Sequence, residues 1–353
     1  MPATQPAPPD RASAGIAAGF ANVRPVAAAH PVCCVLVDAE EDFDWLRPVR
    51  GVPYDVACMH HLSDLQGILA AYAAVPTYLL TYPVLQDAGV VAALRGRLAR
   101  GQCHVGIQLH PWVTPPFSEP ADASNSFAGN LPPGLEERKL LELMRRFRAC
   151  FGEDAAIFRA GRYGLGRHTP ALLEKHGFAI DTSIAPLTSF AEESGPDFSA
   201  SDYGTFWFGH RRQLLEVPLC RSIAGWGGAA ATRAYHALAA AEGPPPGRGL
   251  IRQNLRGLLA WTRCAERITL SPEGNDVTAA ARLVHSLLGR GRNVLALSMH
   301  SSSLSVGRNP YVRSKADLHR FYDQISAIMT LLADRFAVRF VPALALPALL
   351  ADA

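Results

Sequence analysis

Short apolar runs alternate with longer amphipathic stretches along most of this chain. Positions 33–37 (Cys-Cys-Val-Leu-Val) form a continuous apolar run that ends in acids, and 56–74 carries helix-spaced apolar residues. That is the pattern of a buried strand followed by a crossover helix. The alternation continues with a strand at 77–81, a helix at 84–97 and a strand at 104–109, then a Pro- and Ser-rich stretch, 111–134. A loop of that length is usually functional or mobile. Helix 135–151 places Leu140, Met144, Phe147 and Phe151 on one stripe and turns Glu136, Glu137, Arg138 and Glu142 outward. A strand at 155–158, a helix at 169–175 with Pro170 in its first turn and a strand at 178–180 follow. After an irregular stretch, 183–213, the pattern predicts a strand at 214–218 and a Gly- and Ala-rich region around 224–250. Helices at 251–266 and 276–289 flank a turn at Pro272 and Gly274, and 294–299 is a strongly apolar strand. The last long helix carries Leu318, Phe321, Ile325, Ile328 and Leu332 on one face, and 338–341 is a final strand.

About seven strands separated by helices favour a parallel sheet, either closed as a barrel or open and doubly wound. No Gly-x-Gly-x-x-Gly opens a helix after the first strand; Gly161, Gly164 and Gly166 come near, but Arg162, Tyr163 and Arg167 crowd them. The expectation is therefore a distorted (β/α) barrel, one α/β domain over 30–353, preceded by a flexible segment, 1–29. With 353 residues, 49% of them hydrophobic and 18% charged, the chain can bury such a core. Its net charge of +3, from 34 basic and 31 acidic residues without a basic run, argues against nucleic acid as a partner. Seven cysteines without paired spacing, Cys33 and Cys34 among them, read as reduced core residues of a cytoplasmic protein. Asp10, Arg11 and Arg24 interrupt the Ala- and Pro-rich start, so a signal peptide is not expected. Nor is a membrane span, which needs about 20 apolar residues.

Chemistry enters at the ends of the apolar runs. The first leads into Asp38, Glu40, Glu41, Asp42 and Asp44; others lead into His110, Arg159, Asp181 and His300. In a parallel barrel these tips converge on one rim, where such enzymes build their sites. Each residue alone has a plainer reading: a solvated acidic loop, a packed or capping histidine, a hydrogen-bonded turn at His300-Ser301-Ser302-Ser303. Arg159 is harder to dismiss, since an arginine entering a buried rim needs an acidic partner to offset its desolvation. Crowded carboxylates can supply a metal ligand and a general base together. No Gly-x-Ser-x-Gly elbow is present for a serine hydrolase.

Taken in order, Asp38-Ala39-Glu40-Glu41, Gln108-Leu109-His110-Pro111-Trp112, Phe158-Arg159-Ala160-Gly161-Arg162-Tyr163-Gly164, Leu215-Glu216-Val217-Pro218 and Ser298-Met299-His300-Ser301 resemble the motifs of NodB-type polysaccharide deacetylases. Among these the chain looks most like the WalW-like proteins of bacterial surface-polysaccharide loci. The resemblance implies an acidic pair in which Glu40 is the base and Glu41 a metal ligand. It further implies that His110 is a ligand, that Gln108 stands where another histidine is expected, that Arg159 orients the base and that His300 is the acid for the leaving amine. Trp112, Arg162, Tyr163 and Asp181 are then candidates for substrate contact. Asp42 is a further candidate ligand. The implied cofactor is a divalent ion, zinc first, with manganese or another hard ion where oxygen ligands dominate. The implied reaction is hydrolysis of an N-acetyl or N-formyl group from a sugar, free, nucleotide-linked or lipid-linked. The alternative is a catalytically silent barrel that binds glycan or scaffolds a polysaccharide-assembly complex.

Overall fold

The strand that begins the apolar pattern, β2 (Val32–Ala39), is buried at every position. A strand covered on both faces has no reason to alternate, which is why its sequence is a continuous apolar run. In the computed structural model, described for residues 20, 22–42, 54–201, 204–211, 213–228, 230, 231, 234, 235, 238, 255 and 257–351, it lies near one end of a ten-stranded sheet. With β1 (Arg24–Pro25) before it, the strands are β3 (Thr77–Leu80), β4 (His104–Leu109), β5 (Ile157–Ala160), β6 (Ile180–Asp181), β7 (Phe206–Phe208), β8 (Leu214–Glu216), β9 (Arg221–Ala224), β10 (Glu266–Thr269), β11 (Val294–His300) and β12 (Arg339–Phe340).

The order across the sheet is β1-β7-β8-β6-β5-β4-β3-β2-β11, with β12 also on β2. From β8 to β11 every pairing is parallel; β7 runs antiparallel to both of its neighbours, β8 and β1. β9 and β10 form a separate antiparallel ribbon. Leu270 N–H extends that ribbon by donating to Cys220 O at 2.8 Å, and one backbone hydrogen bond ties its end to the sheet, from Ser298 N–H on β11 to Leu270 O at 3.2 Å. The architecture is thus the expected single α/β domain around a parallel-rich sheet, with the ribbon's end against β11.

The connecting helices are α1 (Leu62–Ala70), α2 (Tyr82–Gln86), α3 (Ala88–Ala99), α4 (Pro133–Phe151), α5 (Thr169–Lys175), α6 (Val277–Leu288) and α7 (Lys315–Thr330). Three differ from the pattern in instructive ways. The helix expected at 84–97 is two, because the Asp87 carboxylate accepts from Val90 N–H at 2.8 Å and caps a new start. On α4, Glu136 is buried rather than turned outward, and Thr169 Oγ1 donates to it; the inward stripe runs Glu136, Leu140, Leu143, Phe147, Cys150. Burial raises the Glu136 carboxyl to about 7. Lys139 beside that stripe is also buried, donating to Pro111 O at 2.9 Å and Thr114 O at 2.6 Å and pairing with Glu119 at 3.0 Å, so it pins the long loop after β4. At 251–266 the sequence pattern continues a helix where the chain instead enters β10 at Glu266.

Part of the segment expected to hang free, 1–29, belongs to the fold. Arg24 and Pro25 pair with Trp207 and Phe206, and the Phe20 ring packs edge-on against Phe206 and Phe208. Burying aromatic area in this way explains why the end of the segment is held. Residues 1–19, and Asp44 of the acidic run, lie outside the described residues, as does most of 224–250. Among the described residues no helix is long and apolar enough to cross a membrane.

Candidate active site

Parallel register brings the polar tips together. His300 on β11 pairs with Asp38 on β2, and Gln108 on β4 pairs with Arg159 on β5. Side chains alternate across a strand, so Asp38 shares a face with Glu40 and not with Glu41. That parity divides the acids: Asp38 and Glu40 line a cavity of about 580 Å³ at the strand ends, together with Gln108, His110, Arg159, Tyr163, Glu273 and His300, while Glu41 lies behind the wall.

One side of the cavity floor is a chain of ions. Arg159, fully buried, donates from Nη1 to Asp38 Oδ1 and from Nε to Thr182 O at 3.2 Å and Thr182 Oγ1 at 3.0 Å. The other Asp38 oxygen is 3.5 Å from His300 Nε2. His300 Nδ1 is 2.7 Å from Glu273 Oε2, and the other Glu273 oxygen accepts from His300 N–H at 2.9 Å and Ser303 Oγ at 2.6 Å. Burial opposes a charge on His300, but Glu273, with Glu40 and Asp38 behind it, outweighs burial and raises the imidazole to about 10. Burial would likewise raise Glu273; the charge and hydrogen bonds of His300 hold it below the usual carboxylate range instead. Near neutral pH this arrangement holds an imidazolium against the Glu273 carboxylate.

The other side collects donors of mixed type. His110 Nε2 lies 3.1 Å from Gln108 Nε2 and 3.5 Å from Glu40 Oε2, and Gln108 Nε2 donates to Glu40 Oε2 at 3.3 Å. Behind the ring, His110 Nδ1 is 2.8 Å from Glu41 Oε1, and Trp112 stacks on it with centroids 4.2 Å apart. Burial is again the largest influence: it pushes Glu40 up to about 7, whereas at His110 it is overcome by Glu41, so the imidazole is raised. Two buried oxygens here, Gln108 Oε1 and Glu41 Oε2, accept no hydrogen bond from any described residue.

These placements revise several expectations. Glu41, expected as a metal ligand, does not line the cavity and touches the far nitrogen of His110. Asp42 is drawn off toward Arg308, at 3.2 Å. Trp112 backs His110 rather than facing the cavity, and Asp181 is buried outside its lining, accepting from Ser183 Oγ. Arg162 and Tyr163 do line the cavity, both with φ of 55°. That left-handed turn starts at Gly161, where a Cβ would stand 2.1 Å from His110 Cδ2, so only glycine lets β5's exit pass over the histidine.

Two residues of the floor were not singled out by sequence. Asp38 was visible as part of the acidic run, and counting strand parity from Glu40 would have separated it from Glu41. Glu273 sits in Ser271-Pro272-Glu273-Gly274, which reads as a turn; its only signal is an acid just past a short strand.

Among the described residues, no three His, Cys, Asp or Glu side chains group as a metal site. Glu40, His110 and Gln108 nevertheless fit one. Donors 3.1–3.5 Å apart match the edges of a polyhedron around an ion bonded at about 2.0–2.2 Å, and an amide oxygen without a partner is a ready third donor once the Gln108 amide is turned over.

No family model and no curated protein matches the chain. Solved structures do. One from Mycobacterium smegmatis superposes with a TM-score of 0.50 at 16% identity, over 94% of this chain and 96% of that one. One from Pseudomonas aeruginosa PAO1 superposes with a TM-score of 0.50 at 11% identity, over 90% of each. Both bear the polysaccharide deacetylase name as an inferred assignment. The chain shares their fold. At these identities it is the deacetylase fold that is established, with the strand tips of that fold carrying the residues described above.

Proposed function

We propose that this chain is a hydrolase that removes an N-acyl group, acetyl or formyl, from an amino sugar in bacterial surface-polysaccharide metabolism. The observation that carries the reading is Asp38, fixed by Arg159 on one oxygen and facing the Glu273-bound His300 with the other. A base locked in orientation beside a charged acid is what amide hydrolysis needs: a proton must leave water as the nucleophile attacks and reach nitrogen before the amine departs. The base role accordingly moves from Glu40 to Asp38, while His300 keeps the acid role and Arg159 the orienting one. Glu40, His110 and Gln108 would hold a divalent ion, which when bound supplies Lewis-acid polarisation of the scissile carbonyl and activation of water. Zinc or, given two oxygen donors, manganese would suit.

Within this scheme Asp38 takes the water proton, the turn at Tyr163 offers a backbone N–H toward the developing oxyanion, and His300 delivers its Nε2 proton to the leaving nitrogen. Glu41 holds the tautomer and orientation of His110 from behind. The motifs His110-Pro111-Trp112 and Arg159 to Gly164 support placement near the WalW-like deacetylases, and seven unpaired cysteines support a reducing compartment such as the cytoplasm.

A second reading, a glycan-binding barrel without turnover, draws on the amide at position 108, a weaker ligand than imidazole. Acetate and formate release from N-acylated sugars and their nucleotide- and lipid-linked forms, measured beside elemental analysis, separates the two. Release in the metal-loaded protein that vanishes in Asp38→Asn supports the hydrolase; a loaded, folded protein that releases neither acid from any of these sugars supports the glycan binder.

A further inference from the structure

The outer wall of the cavity carries charge that the chemistry above does not use. Arg221 on β9 pairs in register with Thr269 on β10, and Arg267 lies two cross-strand pairs away and so on the same face of the ribbon. Both side chains line the cavity. Arg221 donates from Nε to Thr269 Oγ1 at 2.8 Å and from Nη1 to Thr188 Oγ1; Arg267 donates to the Leu187 carbonyl at 2.9 Å. Every one of these acceptors is neutral. Among the described residues neither guanidinium pairs with a carboxylate, whereas Arg162, the third arginine of the wall, is paired with Glu193. The cavity's own carboxylates are engaged elsewhere: Asp38 with Arg159, Glu40 with Gln108 and His110, Glu273 with His300.

Two like charges on one ribbon face, one of them largely desolvated, cost stability that no carboxylate among the described residues offsets. Burial and then Arg267 pull Arg221 down to about 10, a penalty that an anion between the two would relieve. The surrounding groups, Thr188, Thr269, Ser271 and Asn275, are hydroxyls and an amide suited to the remaining oxygens of such an anion.

We propose that Arg221 and Arg267 form an anion-binding subsite on the cavity wall that holds a carboxylate or phosphate group carried by the substrate. The proposal rests on the deacylase reading in one respect: the anion is a substituent of the molecule whose amide meets Asp38. The substrate is then an acidic glycan or a phosphate-linked sugar rather than a neutral N-acetylated polymer.

Calorimetric binding with three probes tests this: neutral tetra-N-acetylchitotetraose, an oligosaccharide alternating N-acetylglucosamine with glucuronate, and UDP-N-acetylglucosamine. Wild type should bind one anionic probe at least about tenfold more tightly than the neutral one, as expected for a charge-assisted pair of arginine contacts. The tighter of the two tells carboxylate from phosphate. Arg221→Gln with Arg267→Gln should abolish the preference and leave the neutral probe unchanged, and Arg267→Gln alone, at an exposed position, should reduce it without disturbing the fold. Equal affinity for all three probes, or a preference that survives the double variant, overturns the subsite. Acid release assayed in parallel keeps the two claims apart: release without anionic preference sinks the subsite alone, and anionic preference without release sinks the deacylase reading alone.

Discussion

The two halves of the cavity floor are built on opposite principles. On the Asp38 half each charge meets one of opposite sign, Arg159 meeting Asp38 and His300 meeting Glu273, although Arg159 Nη2 finds no acceptor among the described residues. On the Glu40 half the donors crowd one another, and Gln108 Oε1 is left buried without a hydrogen bond from any described residue. A network of paired opposite charges is held in place and ready for proton transfer as it stands. An unsatisfied one at comparable burial costs roughly 1–3 kcal/mol per group, a cost that persists where a ligand offsets it. The difference teaches which half holds the protein's own chemistry and which is shaped for something added to it.

The most severe way to break the comparison is Asp38→Asn. The substitution keeps shape but removes both the base and the charge that answers Arg159. Turnover should fall by about 10³-fold, within the usual range for a general base. Leaving a buried guanidinium without its partner should also cost roughly 3–5 kcal/mol of stability, to be read from denaturant unfolding. A variant that loses stability while keeping its rate would mean that Asp38 is a structural counter-ion only, and that proton removal belongs to Glu40 after all.

Glu273→Ala acts on the same half from behind. A group raised in the folded protein contributes stability that is complete below its unfolded value, about 6.5 for histidine, and is lost as pH climbs through the folded value. For His300 that loss falls between about 6.5 and about 10. As the acid for the leaving amine it must be protonated, so the wild-type rate should hold through mild alkali and decline near pH 10. Without Glu273 the decline should move down toward 6.5, leaving about one molecule in thirty competent at pH 8. A pH–rate profile whose alkaline limb stays in place would remove His300 from proton donation.

How far this was legible in the sequence follows the same division. The continuous apolar run of β2, the strand 104–109 and the helix 169–175 could be read directly, since burial and a proline-marked start leave periodic or compositional traces. Strand tips gave Arg159, His110 and His300. What did not show was orientation. Glu40 and Glu41 are adjacent and chemically alike, and only strand parity sends one into the cavity and the other behind His110. Glu273 follows a strand of four residues within a turn-like sequence, too short for a period to register. The short β7 and the β9–β10 ribbon escaped for the same reason, and with them the arginine wall.

The smallest expected effect sharpens the Glu40 half. Glu41→Gln keeps the hydrogen bond to His110 Nδ1 possible but removes the charge that raises the ring's basicity. Apparent affinity for zinc or manganese should weaken by about tenfold, the lower end of what partners behind a metal-bound histidine contribute. The converse substitution, Gln108→His, replaces an amide oxygen with imidazole and should tighten zinc more than manganese, because the softer donor favours the borderline metal. Metal titration in the presence of a competing chelator reads both. If Glu41 were itself a ligand, Glu41→Gln would cost far more than tenfold; if Gln108 were no ligand, Gln108→His would leave the zinc-to-manganese ratio where it was, and the unpartnered oxygens would need another occupant.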